Sequence, residues 1–254
     1  MKGLRVRASA LAGAMLGWLL PAFSLLAQAP ARAQGLTLHY QERAPYSWLQ
    51  ADGSVAGLVA TPASQALKDA GVAFVWARTP SQRQLALIQE GEGLHCGLGW
   101  FRNPERAALG KFSRPLYRDR AFAALARSDS PLKPGLSMAQ AMALAGDSLL
   151  VKEGYSYGPQ FDRLLAAQSQ PAQKTSAEPS QMLRMLLAGR AGWMIVAPEE
   201  SRQLQHEAGP GAAMLSEVAF SDMPPGQTRH LYCNRAVPDA WLQRIDQALA
   251  AQAR

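Results

Sequence analysis

The sequence predicts an α/β protein of two lobes, each a mixed, mostly parallel sheet flanked by helices, with a cleft between them. Three observations lead there. Strand-like and helix-like segments alternate through residues 36–101, the pattern of parallel β-α-β units. A polar, proline-rich stretch, SDSPLKPG, then opens a second α/β unit of similar size. Finally, a turn-rich DMPPGQ leads into one more strand and helix, HLYCN and PDAWLQRIDQALAAQ.

The first 33 residues stand apart from this pattern. Lys2, Arg5 and Arg7 precede a mostly apolar stretch from Ala8 to Ala27, and AQAPARAQ follows with small residues at Ala31 and Ala33. That three-part layout is the mark of a cleavable signal peptide with cleavage near Ala33, and it implies export to the periplasm. The alternative is an uncleaved anchor, since about 20 apolar residues can span a bilayer. No cysteine precedes Cys96, so a lipid anchor at this site is not expected. The segment carries four basic residues and no acidic one, so its removal lowers the formal charge from +7 to +3. The remaining basic residues are dispersed, which argues against a nucleic-acid partner.

From there the elements are read in order. LTLHY (36–40) is a strand, and QERAPYSWLQADGSVAG is loop with a turn at Asp52-Gly53. TPASQALKDAG is a helix with Thr61 as cap, Pro62 in the first turn and Gly71 as stop. VAFVWA (72–77) is a strand. TPSQRQLALIQEG is a second helix, with Thr79 as cap, Pro80 at its first position, Gln82 completing a capping box, Gly91 as stop and Leu85 and Ile88 inward. LHCGLGWF (94–101) is the third strand. RAFAALARSD (120–129) leads out of the first unit. In the second unit LSMAQAMALAG is a helix, SLLVKEG a strand, and PQFDRLLAAQ a helix with Phe161, Leu164 and Leu165 on one face. QKTSAEP holds a short strand, and SQMLRMLLAGR is a helix with Leu183, Leu186 and Leu187 inward. GWMIVA is a strand, PEESRQLQHEAG a helix and AMLSEVAF a strand. The closing helix carries Trp241, Leu242, Ile245 and Leu249 along one stripe.

Two cysteines, Cys96 and Cys233, lie in strand-like runs. An even count in an exported chain permits one disulfide; two buried free thiols are the alternative. If they pair, the last strand lies beside the third. The chain then leaves the first lobe, builds the second and returns. That arrangement assigns 34–124 and 222–254 to one lobe and 125–221 to the other. With no CxxC and only four histidines, no metal site and no cofactor are expected.

The stretch GWFRNPERAALGKFSRPLY (99–117) follows the carboxyl end of the third strand, where open α/β sheets bind ligands. With APYSW, DGSVAG, DAG, RQLALIQEG, VKEGYSYG and AGRAGWMIVA, it makes the chain similar to the type II periplasmic solute-binding proteins. This group includes the polar amino-acid receptors of ABC transporters, and the likeness spans about 36–250. It implies a monomeric, non-enzymatic receptor that closes on a small solute and hands it to a membrane permease.

Carried over by position, Arg106 matches the arginine that clamps a ligand carboxylate, which a guanidinium does with two parallel hydrogen bonds. Arg102 and Arg114 read as surface charges. Gly99 falls where the family offers backbone groups to the ligand, and Ser156 at the start of a second-lobe helix. Tyr40, Tyr46, Trp48, Trp100, Phe101, Tyr155 and Tyr157 gather aromatic area near the expected cleft. Three positions depart from the family. Ala197 stands where an aspartate pairs with a ligand amine, Arg43 where an aromatic stacks, and Phe101 where a hydroxyl is usual. A small organic anion is therefore expected, aromatic or carrying two acidic groups, with Arg43 as a second cation. Two other readings remain: a dehydratase-type enzyme on the same fold, with Glu42 or Glu105 as its acid, and a ligand sensor with no transporter.

Overall fold

In the computed structural model, residues 35–144, 148–168 and 171–253 are described; the expected signal peptide lies outside them. The first unit runs β1 (Leu36–Tyr40), β2 (Trp48–Leu49), β3 (Val55–Ala56), α1 (Ala60–Asp69), β4 (Phe74–Arg78), α2 (Ser81–Glu90), β5 (His95–Phe101), α3 (Pro104–Leu109), β6 (Lys111–Phe112) and β7 (Tyr117–Arg118). The second runs β8 (Ala123–Arg127), α4 (Met138–Met142), β9 (Leu149–Lys152), α5 (Pro159–Ala167), β10 (Gln173–Thr175), α6 (Pro179–Leu187), β11 (Trp193–Val196), α7 (Pro198–Ala208), a 3-10 turn (Gly209–Met214) and β12 (Leu215–Ala219). Then β13 (Thr228–Cys233) and α8 (Asp239–Gln252) close the chain.

The strands form two main sheets. The first has the order β4-β1-β5-β13-β6, with β7 also on β13, and the second the order β10-β9-β11-β8-β12. In the first, β4, β1 and β5 are parallel and β13 is antiparallel to β5. In the second, β10, β9 and β11 are parallel and β8 is antiparallel to β11 and β12. The chain thus crosses between the sheets twice, from β7 to β8 and from β12 to β13. Each sheet has its own apolar packing. Leu36, Leu38, Leu67, Leu231 and Ile245 gather α1 and α8 onto the first. Leu125, Leu150, Leu186 and Met194 hold α6 against the second. Each such side chain contributes about 1.5–3 kcal/mol on burial.

Cys96 and Cys233 are directly opposite across β5 and β13 and are joined by a disulfide, at a sequence separation of 137. This bond ties the returning strand to the sheet that the chain left behind.

Local corrections concern caps and short elements. Thr79 does not cap α2: its N–H donates to the Tyr40 carbonyl (2.9 Å), so the residue still extends β4, and Pro80 takes the cap position. Helix α1 starts at Ala60 with Val59 at its cap, so Thr61 lies inside it, its N–H donating to the Gly57 carbonyl (2.9 Å) and its Oγ accepting from Gly57 N (3.1 Å). The stretch read as loop with a turn at Asp52-Gly53 also contains the β2-β3 hairpin, whose turn is held there by Asp52 Oδ1 accepting from Ser54 N and Oγ. The NPERAAL stretch is a helix, α3, capped by Asn103 Oδ1 on Arg106 N (2.8 Å).

A polar chain runs through the first sheet beneath α2. Trp100 Nε1 donates to Gln84 Oε1 (2.9 Å), and Gln84 Nε2 donates to the Thr79 carbonyl (2.8 Å). Thr79 Oγ lies 2.8 Å from His39 Nδ1, and His39 Nε2 lies 2.9 Å from His95 Nδ1. Gly97 makes room for it: a Cβ there would sit 2.4 Å from the Trp100 indole nitrogen. Burial, with help from the His95 and Arg83 charges, pushes His39 down from 6.5 to about 4.

Two outcomes follow for stability. Reducing the disulfide, or replacing both cysteines by alanine, should cost about 2–5 kcal/mol in urea unfolding, since a closed loop of this length is worth at most about 5 kcal/mol; unchanged unfolding would exclude the bridge. His39 is neutral in the folded state and protonates near 6.5 when unfolded, so its contribution is complete above pH 6.5 and is lost as pH falls towards 4. The loss reaches about 3 kcal/mol, and His39→Gln should flatten that part of the pH-stability curve.

Candidate functional site

The cleft lies where the carboxyl ends of β1 and β5 face the loop after β9 and the end of β11. Its volume is about 690 Å³, counting the space at its open mouth. From the first sheet come Gln41, Arg43, Tyr46, Gly99, Trp100, Phe101, Arg106 and Arg229; from the second come Phe122, Tyr155, Ser156, Tyr157, Ala197 and Glu200.

The local backbone explains how β5 serves this site. Gly99 adopts φ 77°, and the register against β13 shifts between His230 and Leu231, so the strand bulges at its end. Consecutive residues Leu98 to Phe101 then all line the cleft. Gly57 has a similar duty: with φ 136°, it lies so close to Tyr46 that a Cβ would be 2.2 Å from the Tyr46 carbonyl oxygen.

Arg106 projects from α3 and is 7% exposed. Its guanidinium donates to the Phe101 carbonyl (2.9 Å) and, across the cleft, to the Gly154 carbonyl (2.8 Å), and it lies 4.7 Å from the Trp100 ring centroid. Burial lowers its pKa. Three lysine or arginine residues are buried among the described residues: Arg106, Lys152 and Arg229. Lys152 pairs with Glu178 (2.6 Å) and Arg229 with Asp119 (2.7 Å), whereas Arg106 has no carboxylate partner among the described residues. Three of its five N–H groups remain for further acceptors.

Arg229 forms the floor. It donates to both oxygens of Asp119 (2.7 Å each) and to the Gly99 carbonyl (3.3 Å). Its guanidinium stacks 3.7 Å from the Tyr46 centroid and 4.8 Å from that of Phe101. Asp119 sits in the first crossing segment, and burial raises its pKa despite the arginine. The second crossing segment touches it directly, with Asp119 N donating to the Gln227 carbonyl (2.9 Å) and no room for a Cβ at Gly226.

Arg43 corrects an expectation. It reaches the cleft, but not as a free second cation: both oxygens of Glu200, on α7, accept from it, Oε2 at 2.7 Å. Tyr155 Oη accepts from Arg43 Nη1 (3.3 Å) and donates to Gln41 Oε1 (2.7 Å). Two other expected residues are placed differently. Tyr40 is buried against Trp76, edge to face, and does not line the cleft. Ser156 precedes α5 by three residues rather than starting it. Its hydroxyl donates to Asp162 Oδ2 (2.5 Å) and accepts from Gly158 N (3.3 Å), so it is engaged within its own loop.

Trp48, Glu42 and Glu105 are exposed away from this lining, as are Arg102 and Arg114. The Tyr46 hydroxyl is buried with no hydrogen-bond partner among the described residues, an open valence at the cleft. Ala197 lines the cleft just before α7; of the two carboxylates in the first turn of that helix, Glu200 also lines the cleft, while Glu199 accepts from Tyr117 Oη (3.0 Å) and Arg120 Nε (3.2 Å). No group of three or more His, Cys, Asp or Glu suited to a metal ion occurs among the described residues.

Sequence reasoning missed Arg229, Asp119 and Glu200. Acidic residues in PEES are the ordinary decoration of a helix N-terminus, and an arginine in a strand carries no signal of its own.

No family model matches the chain, and no curated protein matches it. Similarity is found among solved structures. An ancestral arginine-binding protein bound to glutamine shares 15% identity at a TM-score of 0.69, covering 87% of this chain and 92% of that one. Holo ArgBP from T. maritima shares 14% at 0.68, covering 87% and 91%. A histidine kinase sensor domain with similarity to periplasmic binding proteins shares 19% at 0.68, covering 87% and 90%. The chain therefore has the two-lobed type II periplasmic binding-protein fold, which the sequence predicts.

Because Arg229 and Asp119 are both enclosed, Asp119→Ala strands a buried guanidinium and should destabilise by about 3–5 kcal/mol in urea unfolding. A loss under about 1 kcal/mol would show that solvent reaches the pair.

Proposed function

We propose that the protein is a solute-binding receptor that captures a small organic carboxylate between its lobes and acts without catalysis. The observation that carries this reading is Arg106: a guanidinium 7% exposed, in the cleft, touching both sides of it and lacking a carboxylate partner among the described residues. With Arg43 and Arg229 each paired to a carboxylate, Arg106 is the one arginine of the cleft lining without an ion pair among the described residues. A carboxylate bound there would complete a charge-assisted pair in a poorly solvated site. Trp100, Phe101, Tyr46, Tyr155 and Tyr157 would supply the apolar walls, and the Tyr46 hydroxyl a further donor.

Delivery to an ABC-type permease in the periplasm, by a monomer released from its signal peptide, fits the type of fold. No helix among the described residues is long and apolar enough to cross a membrane. The likeness to a histidine kinase sensor domain favours a second reading, in which the same cleft reports solute to a signalling partner. The dehydratase reading has less support: its candidate acids Glu42 and Glu105 are exposed away from the cleft, and Glu200 is held by Arg43.

Isothermal titration of the purified protein against a library of organic acids should find a micromolar or tighter carboxylate ligand. Arg106→Ala should weaken it at least 30-fold, about 2 kcal/mol or more for a buried charge pair. Equal affinity in wild type and Arg106→Ala would remove the basis of the proposal. Loss of uptake of that solute on deleting the gene would separate transport from sensing.

A further inference from the structure

The surroundings of Arg43 have the composition of a cation receptor. Glu200, 3% exposed, presents both oxygens to one guanidinium. The rings of Tyr46 and Tyr155 face that group with centroids at 5.2 and 5.1 Å. The Tyr155 hydroxyl closes the remaining side. A carboxylate between two tyrosine faces attracts an ammonium or guanidinium ion whatever molecule carries it. Here the occupant belongs to the chain: Arg43 follows β1, Glu200 opens α7, and together they bridge the two sides of the cleft.

We infer that Arg43 permanently occupies a cation subsite of the cleft and is thereby a specificity determinant, so that the solute is a monocarboxylate with no cationic group. This rests on the carboxylate-binding reading of Arg106 and sharpens it. An incoming ammonium would have to displace Arg43, whose only ion pair among the described residues is with Glu200. Displacement would leave a guanidinium unpaired in a place where burial is costly. A second acidic group on the solute gains little either, because the Arg43 charge is already neutralised. The cleft offers one free positive charge, on Arg106, beside apolar and aromatic walls, and this matches one carboxylate on an apolar body.

The test compares 3-phenylpropionate with phenylalanine, which differ only in the ammonium group, together with arginine and methylguanidinium chloride. The proteins are wild type, Arg43→Ala, Arg43→Gln and the Arg43→Ala/Glu200→Gln double variant. Arg43→Gln keeps a donor towards Glu200 and serves if the alanine variant fails to fold. By titration calorimetry, wild type should prefer 3-phenylpropionate to phenylalanine by at least tenfold, and that ratio should collapse or invert in the single variants. Methylguanidinium should raise the melting temperature of Arg43→Ala, but not of wild type or of the double variant.

Wild type binding phenylalanine or arginine as tightly as 3-phenylpropionate, with the ratio unchanged in Arg43→Ala, overturns the inference. The methylguanidinium arm separates this result from failure of the receptor reading. If no carboxylate binds yet methylguanidinium stabilises Arg43→Ala, the cation subsite stands while the receptor reading and the solute class fall. If methylguanidinium has no effect, the subsite falls even where carboxylates bind through Arg106.

Discussion

The buried pair between Asp119 and Arg229 links both crossing segments, the end of β5 and the aromatic wall of the cleft. Asp119 lies in the segment that leaves the first sheet, and Arg229 in the strand that returns to it. Asp119 N also donates to the Gln227 carbonyl of the second crossing, where Gly226 leaves no space for a side chain. The guanidinium then braces the end of β5 through the Gly99 carbonyl and supports the Tyr46 and Phe101 rings from below. Crossing segments, bulged strand and aromatic wall are thus fixed through one buried ion pair. Such a pair is weak as a source of net stability but strongly directional, because either charge left alone in this interior is expensive.

Around that support the cleft is nearly charge-balanced. Its three guanidiniums meet two carboxylates, and the two compensated arginines are held by both oxygens of their partners. Arg106 differs in that its hydrogen bonds go to backbone carbonyls and no carboxylate pairs with it directly among the described residues, although Asp162 and Glu105 act on it from further away. Carbonyl dipoles satisfy N–H groups without cancelling charge, so this side chain is at once sterically fixed and electrostatically open. Fixed donors facing an unmet charge are what a binding site needs to avoid reorganisation when a ligand arrives.

The position of Trp100 shows how far such support extends. Its ring lies beneath Arg106, while its indole N–H begins the chain through Gln84, Thr79, His39 and His95. A polar side chain on the inward face of α2, Gln84, therefore supports the Trp100 wall of the cleft from behind rather than being an exception to the helix's apolar pattern. The same network draws Thr79 away from the cap role that its place before Pro80 suggests.

What the sequence determined by itself was periodic and local. The alternation of strands and helices, the glycine stops at Gly71, Gly91 and Gly189, and the apolar stripe of α8 depend on neighbours a few residues away, and so could be read in order. The placing of Arg106 just past a strand end was legible for the same reason, since α/β sheets present their carboxyl ends to ligands. Pairings between distant residues were not. Arg43 with Glu200 spans 157 positions and Arg229 with Asp119 spans 110, and nothing in the residues flanking either partner specifies the other. Only the tertiary structure decided which arginine keeps its charge available, because charge compensation depends on what folding brings within about 3 Å, not on residue type.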